Sequence, residues 1–466
     1  CGVPPNHVTC SILLKSVGSN TREADIRRIL DVVASLEGDM DEVLLSSLCE
    51  ACVRVRRVDL LQKFLRRQKG PHGVVVTGAY TYGSLIRAHG FLHDLDGVWA
   101  AWREMRGKNI VPTSTTLGCM VEALVMNAGP EAGYDLIREV LVEADVKPMV
   151  NAIVYCSVLK GFCHQKRFDR VWAVYKEMQG LKLKFSLVTY NTLIDACARC
   201  REVDRIQGLL KEMARQDITP NVITYSTIMK GHCQENRLDK AFELLEKMKQ
   251  TQGMCPDDFT YNTLLDGCAM HGFLDRGIAV LEDMQRSGVR PSNFTLSLAA
   301  KLGNRGCSVD AAFQLCQDIA RKYGLSWNVH VYNNLLHACT AHKDVHRALR
   351  LFGEMVSAGV RPDLRTYTLL LKGLISAGEA EEAAVLLRAA HGLPAYSPRL
   401  GPLSSTLLAM REGLPQDLVE EVMKTISHYC GNARMAELLT DLRHVPGFKI
   451  SPKFAQQWPL QVFQMQ

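Results

Sequence analysis

Two Cys-x-x-Cys pairs, Cys49/Cys52 and Cys197/Cys200, are the residues whose type and spacing most directly suggest chemistry. Four thiolates converging on one tetrahedral centre would hold a zinc ion. Each pair, however, occupies i, i+3 of an apolar helical pattern where small core residues belong. The periodicity set out below also separates the two pairs by four helix pairs, about 40 Å. Core thiols account for both, and no metal is expected. His342, His346 and the other histidines fall on turns or polar helix faces, which predicts solvated side chains. A phosphate-cradling Gly-x-x-x-x-Gly-Lys loop is absent. With no catalytic constellation, the chain is expected not to be an enzyme and to use neither cofactor nor small-molecule substrate.

The elements that carry these residues must come from 466 residues, 47% of them hydrophobic and 22% charged, which suffices to bury a core. The 34 glycines and 17 prolines are too few for a collagenous or disordered chain. No run approaches the roughly 18 apolar residues of a membrane span. Sixteen cysteines without a short-domain framework read as reduced thiols, implying a reducing compartment. With 55 Lys+Arg against 49 Asp+Glu the net charge is +6, which excludes a polycation. The first residue is Cys1, so a targeting peptide is expected to have been cleaved or to lie outside this numbering. The length suggests about three ordinary domains unless internal repeats intervene.

Repeats do intervene. The phrases Val188-Thr189-Tyr190-Asn191-Thr192-Leu193-Ile194-Asp195, Ile223-Thr224-Tyr225-Ser226-Thr227-Ile228-Met229 and Phe259-Thr260-Tyr261-Asn262-Thr263-Leu264-Leu265-Asp266 recur at intervals of about 35 residues. They anchor eleven units: 7–41, 42–78, 79–113, 114–151, 152–186, 187–221, 222–257, 258–292, 293–328, 329–363 and 364–398. Residues 1–6 form an N-terminal remnant, and 399–466 read as degenerate repeats that cap the C-terminal end. Within 187–221, apolar Tyr190, Leu193, Ile194 and Cys197, then Ile206, Leu209, Leu210 and Met213, follow helical spacing on either side of a polar turn. Pro112, Pro148, Pro220, Pro256, Pro291 and Pro362 stop the chain at matching places, because proline cannot continue a helix. Each helix pair buries one face by itself, so stacking must complete the core. The expected fold is all-α, a right-handed α-solenoid superhelix of helix-turn-helix repeats.

The period, the Thr-Tyr-Asn-Thr-Leu-Ile opening and the Gly-(Val/Ile)-x-Pro-(Asp/Asn/Ser) close resemble the pentatricopeptide repeat family, in arrays of the P type. The resemblance is best over 152–398 and weaker at 42–78 and 114–151, where Leu45 and Leu117 replace the tyrosine. It implies a binder of single-stranded RNA in a mitochondrion or plastid, with one base per repeat read by two or three side chains. Relatives that edit RNA add a zinc deaminase with a His-x-Glu spacing, which occurs nowhere here. Others add a nuclease domain rich in aspartate, for which the C-terminal segment is too short.

The family places base reading on the residue after the tyrosine and on the last residue of the unit. Carried over, the pairs are Asn191/Asn221, Ser226/Asp257, Asn262/Ser292, Ser297/Asn328 and Asn333/Asp363. The resemblance assigns them a pyrimidine, G, C, A and U, or 5′-(C/U)-G-C-A-U-3′ for RNA running parallel to the protein. Ser11/Asp41 would favour G, and Thr368 a purine. Ser46/Gly78, Gly83/Thr113, Gly118/Asn151 and Cys156/Ser186 are poor readers, so units from 42 to 186 are expected to act as spacers or as a protein-contact surface. The family sandwiches each base between residues three positions ahead of the first reader: Val188, Ile223, Phe259, Phe294 and His330. Where these are aromatic they offer a stacking face, the alternative being padding between repeats.

Four residues beyond the first reader, on the same helical face, stand Lys15, Glu50, Arg87, Glu122, Lys160, Asp195, Lys230, Asp266, Lys301, His337 and Lys372. Alternating charge allows two readings. Lys160, Lys230, Lys301 and Lys372 supply phosphate contacts, or the row is a ladder of exposed ion pairs worth at most about 1 kcal/mol each. The leading expectation is a sequence-selective binder of organellar RNA that acts sterically in RNA stabilisation, processing or translation. The alternative is a scaffold subunit of an organellar ribosome or another large assembly, with ribosomal or other organellar proteins as partners.

Overall fold

The computed structural model describes residues 6–17, 41–68, 70, 73–306, 309–403, 408–410 and 413–445, with the separate positions 21, 25, 28, 29, 33, 448, 450, 451 and 454. The chain divides into two compact units, Cys1–Gly231 and His232–Gln466. Each is a solenoid of helix pairs.

In the first unit, helix His7–Ser16 precedes the pairs Glu42–Arg54 with Val58–Gln68, Ala79–Phe91 with Leu95–Gly107, Ser114–Asn127 with Pro130–Val140, Ala152–His164 with Phe168–Gly180, and Leu187–Cys200 with Ile206–Arg215. The second helix expected for 7–41 lies largely outside the described residues. In the second unit, Leu238–Gln250 is followed by Asp258–His271 with Leu274–Arg286, Asn293–Gly306 with Val309–Tyr323, Val329–Ala341 with Val345–Ser357, Leu364–Ala377 with Ala380–Ala390, and Gln416–Cys430 with Asn432–Arg443. Helix Val222–Gln234 runs through the point where the units divide. An antiparallel hairpin of Ala395–Ser397 and Gly401–Leu403, which the periodicity does not reveal, spans the expected boundary at 398. The further close expected at 448–452 falls largely outside the described residues.

The helices begin where the sequence supplies caps. Asp41, Thr113, Asn151, Ser186, Asp257, Asn328 and Asp363, each the last residue of its repeat, accept a hydrogen bond from a backbone amide in the first turn of the next helix. Such a cap satisfies an amide that has no partner within the helix and is worth about 1 kcal/mol. At Ser186/Thr189 and Asp363/Thr366 the threonine returns the bond, closing a capping box. Between the helices of a pair, a left-handed residue such as Arg56, His93, Lys166, Arg201 or Lys343 reverses the chain.

First helices pack on their own second helix and on the first helices of neighbouring repeats, whereas second helices pack mainly on first helices. Tyr82, Tyr155, Tyr190, Tyr261 and Tyr367 are fully buried between these layers. Burial of the rings is tolerated because most hydroxyls find partners: Tyr82 and Tyr155 donate to Glu104 and Glu177 on the second helix at 2.9 and 2.8 Å. Close stacking of first helices also demands a small residue one position beyond the charged row. A Cβ on Gly267 would stand 2.5 Å from Cys233 Sγ, and one on Gly373 would stand 2.6 Å from Thr340 Cγ2.

Candidate nucleic-acid interface

Most first helices turn one large side chain outward from an otherwise buried apolar pattern. Phe259 and Phe294 are 54% and 62% exposed, Val188 and Ile223 similarly so, and His330 is exposed at the same phase. Regularly exposed apolar side chains mark a contact surface rather than a core. Val8, Val43, Tyr80 and Ile153 occupy the same phase in earlier repeats and are exposed too. Sequence reasoning did not single these out, although counting three positions back from Ser11, Ser46, Gly83 and Cys156 finds them.

One turn further along, the reader positions sit at the floor of this surface. Ser226, Asn262 and Asn333 are buried; Asn191, Ser297 and Thr368 are half-buried. The polar groups of Asn191, Ser297 and Asn333 are tied to the next repeat. Thr366 Oγ1 donates to Asn333 Oδ1 at 2.7 Å, and Asn333 Nδ2 donates to Asp363 Oδ1 at 3.0 Å. Thr224 Oγ1 reaches Asn191 Oδ1 at 2.7 Å and Asn221 Oδ1 at 3.0 Å. Thus two of the five pairs, Asn333/Asp363 and Asn191/Asn221, are brought together through the threonine of the following helix. Ser226 Oγ donates to its own helix at Val222 O, and Thr368 Oγ1 to Leu364 O. Ser297 Oγ accepts from Asn334 Nδ2 at 3.0 Å, while Asn328 and Ser292 are engaged with the helix starts that follow them. Asn262 Oδ1 and Ser11 Oγ are buried without a hydrogen-bond partner among the described residues, each an open polar atom at a reader position.

Partial burial pushes the Asp363 carboxyl up, but the Thr366 amide, Asn333 and the Thr366 hydroxyl together hold it below the usual range. It therefore stays ionised at neutral pH, as an acceptor. Asp41 and Asp257 cap Leu44 and Thr260 in the same manner, at 2.7 and 2.9 Å.

The charged row resolves partly into a ladder. Lys301 Nζ stands 2.6 Å from Asp266 Oδ1, and Lys230 Nζ stands 3.6 Å from Asp195 Oδ1. Lys160 and Lys372 are exposed and have no ion pair among the described residues. Glu50 instead accepts from Tyr80 and Ser84 hydroxyls at 2.8 and 3.2 Å.

Burial pushes the Cys49 and Cys197 thiols up to about 12 and those of Cys52 and Cys200 up to about 11, so all four are protonated at neutral pH. No group of three or more His, Cys, Asp or Glu among the described residues could hold a metal ion. No helix among them is long and apolar enough to cross a membrane. The solvated-histidine expectation fails at His89, which is buried with Nδ1 2.8 Å from Asp94 Oδ2, where it braces the turn into the second helix.

The PPR repeat family matches residues 150–199, 186–234, 220–270, 256–299 and 328–376, and the PPR repeat matches 80–110 and 365–389. These stretches make up a little over half of the chain, which belongs to the pentatricopeptide repeat family. A chloroplastic pentatricopeptide repeat-containing protein of Arabidopsis thaliana is 30% identical over 152 residues, 30% of this chain and 19% of the relative. A mitochondrial one from the same plant is 40% identical over 70 residues, 14% of this chain and 11% of the relative. The chain matches about a third or less of the length of such curated relatives. Among solved structures, the maize pentatricopeptide repeat protein PPR10 in complex with an 18-nt psaJ RNA element covers 98% of this chain and 72% of its own, at 18% identity and a TM-score of 0.41.

Proposed function

We propose that the chain binds single-stranded RNA along its first helices, reading one base per repeat over 187–363, and acts sterically in an organelle to stabilise RNA or to steer its processing or translation. The observation that carries this reading is the repeated coincidence of an exposed side chain with a polar floor one turn away: Phe259 above Asn262, Phe294 above Ser297, His330 above Asn333. A base inserted between exposed side chains of successive repeats would stack there, worth roughly 1 to 3 kcal/mol for an aromatic face.

The Asn333/Asp363 pair illustrates the selection. Thr366 occupies Asn333 Oδ1, and one Nδ2 hydrogen goes to Asp363 Oδ1. The second Nδ2 hydrogen and Asp363 Oδ2 are left as a donor beside an acceptor. Uracil offers the complementary carbonyl and N3–H. Fluorescence anisotropy tests the whole assignment: RNA containing 5′-(C/U)GCAU-3′ should bind at least about tenfold, or 1.4 kcal/mol, tighter than its scrambled counterpart. Equal affinities would sink it.

A second reading, a scaffold subunit within an organellar ribosome or other large assembly, draws on the units from 42 to 186, where Gly83 and Gly118 offer a base no side chain at all. Stoichiometric co-migration with ribosomal subunits, in the absence of a recurrent nuclease-protected footprint, would favour it. A mitochondrial or plastid address follows the family, and the relatives' names include both compartments.

A further inference from the structure

The densest run of positive charge in the chain lies between Val53 and Lys69. Between Val53 and Lys69 stand seven lysines and arginines and one acid, Asp59, while the rest of the chain balances at 48 basic against 48 acidic residues. Five of the seven, Arg56, Arg57, Lys63, Arg66 and Arg67, lie on one second helix and the turn that leads into it.

The fold determines how much of this charge is available. Helix Val58–Gln68 buries Leu61 and Leu65, and the opposite face exposes Lys63, Arg66 and Arg67 at i, i+3, i+4 spacing. Arg56 is exposed in the left-handed turn just before it. Asp59 is already neutralised, because Arg57 Nε and Nη2 grip its two carboxylate oxygens at 3.0 and 2.9 Å, and the Arg57 guanidinium holds its carboxyl at about 2. The acids of the adjoining first helix are engaged as well. Asp41 caps Leu44, Glu42 receives the Gly78 amide and the Thr77 hydroxyl at 2.7 and 2.9 Å, and Glu50 holds Tyr80. Arg54 turns away to the carbonyls of Lys15 and Val17. Arg56, Lys63, Arg66 and Arg67 are left facing solvent, with no ion pair among the described residues.

The chemistry of this face narrows its partner. Arginine forks match phosphate oxygens in pairs. The apolar side of the helix is committed to the core, so it cannot dip into a bilayer as a membrane-surface helix does. The face carries no aromatic anchor of the kind that dominates protein–protein hot spots, and none on which unstacked bases could lie. A backbone whose bases are already stacked and paired suits it best. We propose that residues 56–67 form a second RNA-binding surface, which grips the phosphate backbone of a double-stranded segment without reading its sequence. The proposal rests on the RNA-binding function above but uses none of its reader or stacking residues.

The test uses the whole chain and two probes: a hairpin of about 20 base pairs lacking the read sequence, long enough for a backbone-tracking surface, and a single strand containing 5′-(C/U)GCAU-3′. In Lys63→Glu/Arg66→Glu/Arg67→Glu, hairpin affinity should fall roughly tenfold or more, and the slope of log K against log salt should become shallower by about 2 to 3. Single-strand affinity should change by less than about twofold at physiological salt, where charges beyond a Debye length are screened. The Gln counterpart of the triple variant, checked for unchanged helicity and Tm, controls for repulsion and misfolding and should show the same direction. Unchanged hairpin affinity and salt slope would overturn the proposal. So would loss, on substitution, of binding to anionic vesicles or a polyglutamate peptide while hairpin binding persists. If the single strand fails to bind but the hairpin still depends on these residues, the base-reading function falls and this surface stands.

Discussion

In the repeats from 187 to 363 the residue after the aromatic position is Asn or Ser, whereas from 42 to 186 it is Ser46, Gly83, Gly118 and Cys156. The closing residue behaves differently. It caps the next helix in both regions, through Thr113, Asn151 and Ser186 as well as through Asp257, Asn328 and Asp363. Of the two positions that would read a base, one is thus already favoured by helix capping, with Gly78 as the exception, and the other is free to vary. At Gly118 an added Cβ would meet nothing within 4 Å. A polar closing residue is therefore weak evidence for RNA reading, and the first-helix position is the informative one.

The earlier region shares with the later one a second set of polar contacts, on the second helices. Glu104 accepts from Tyr82 and from Lys108 at 2.9 and 2.8 Å; Glu177 accepts from Tyr155 and Tyr134; Tyr175 donates to Glu212 at 2.6 Å. Arg170 lies over the rings of Tyr134 and Phe162 at 5.2 and 5.4 Å. These contacts stitch second helices to their neighbours, so the region can be rigid without presenting readers.

The contrast can be broken most severely at the stacking row. Phe259→Ala with Phe294→Ala should cost roughly 2 to 6 kcal/mol in single-strand binding, two aromatic faces at 1 to 3 each, while Tyr80→Ala costs well under that. Anisotropy titrations that show equal losses would erase the distinction between the regions. A structural test comes next in size. Gly267→Ala forces a methyl group against Cys233 and should destabilise the protein by about 1 to 3 kcal/mol in denaturant titration, whereas Gly118→Ala should be nearly silent.

Gly118→Asn then offers a gain. It supplies the missing first reader opposite Asn151 at a position with open space for its Cβ, and should add a pyrimidine preference of about 1 kcal/mol at that repeat, the net worth of a hydrogen bond. Selection from a randomised RNA pool that finds no new preference would mean the early repeats lie away from the strand. The smallest effect is in pH. Because Asp363 is held below the ordinary aspartate value of about 3.9, its contribution to stability is complete above that value and is lost as pH falls through the lower folded value. Asp363→Asn keeps a capping side chain, so its Tm should fall less than the native Tm over that acid window. Parallel curves would remove the assigned shift.

Much of the site was legible because it is periodic. The phrase around Tyr190, Tyr225 and Tyr261 fixed the helix phase, and the phase fixed which residues face outward. The capping role of Asn221, Asp257 and Asp363 was legible as well, in an Asn or Asp three residues before Thr224, Thr260 and Thr366. The hairpin at 395–403 was not legible, since three-residue strands carry no usable alternation. Nor was the burial of His89, whose partner Asp94 becomes its neighbour only when the turn closes.

The repeat, the helix pairs, their starts and stops, and the basic run between 53 and 69 are written in the chain itself. These follow from local rules of spacing and capping, which act within a few residues. Packing in three dimensions sets the rest: that Thr224 bonds Asn191 across 33 positions, that Lys301 pairs with Asp266 while Lys160 and Lys372 stay unpaired among the described residues, and that Arg57 rather than its neighbours neutralises Asp59. Those outcomes depend on how closely neighbouring helices stack and on which rotamer reaches a partner within about 3 Å, the range in which a hydrogen bond or ion pair forms. Alternating charge in the sequence is compatible with several pairings, and packing selects among them.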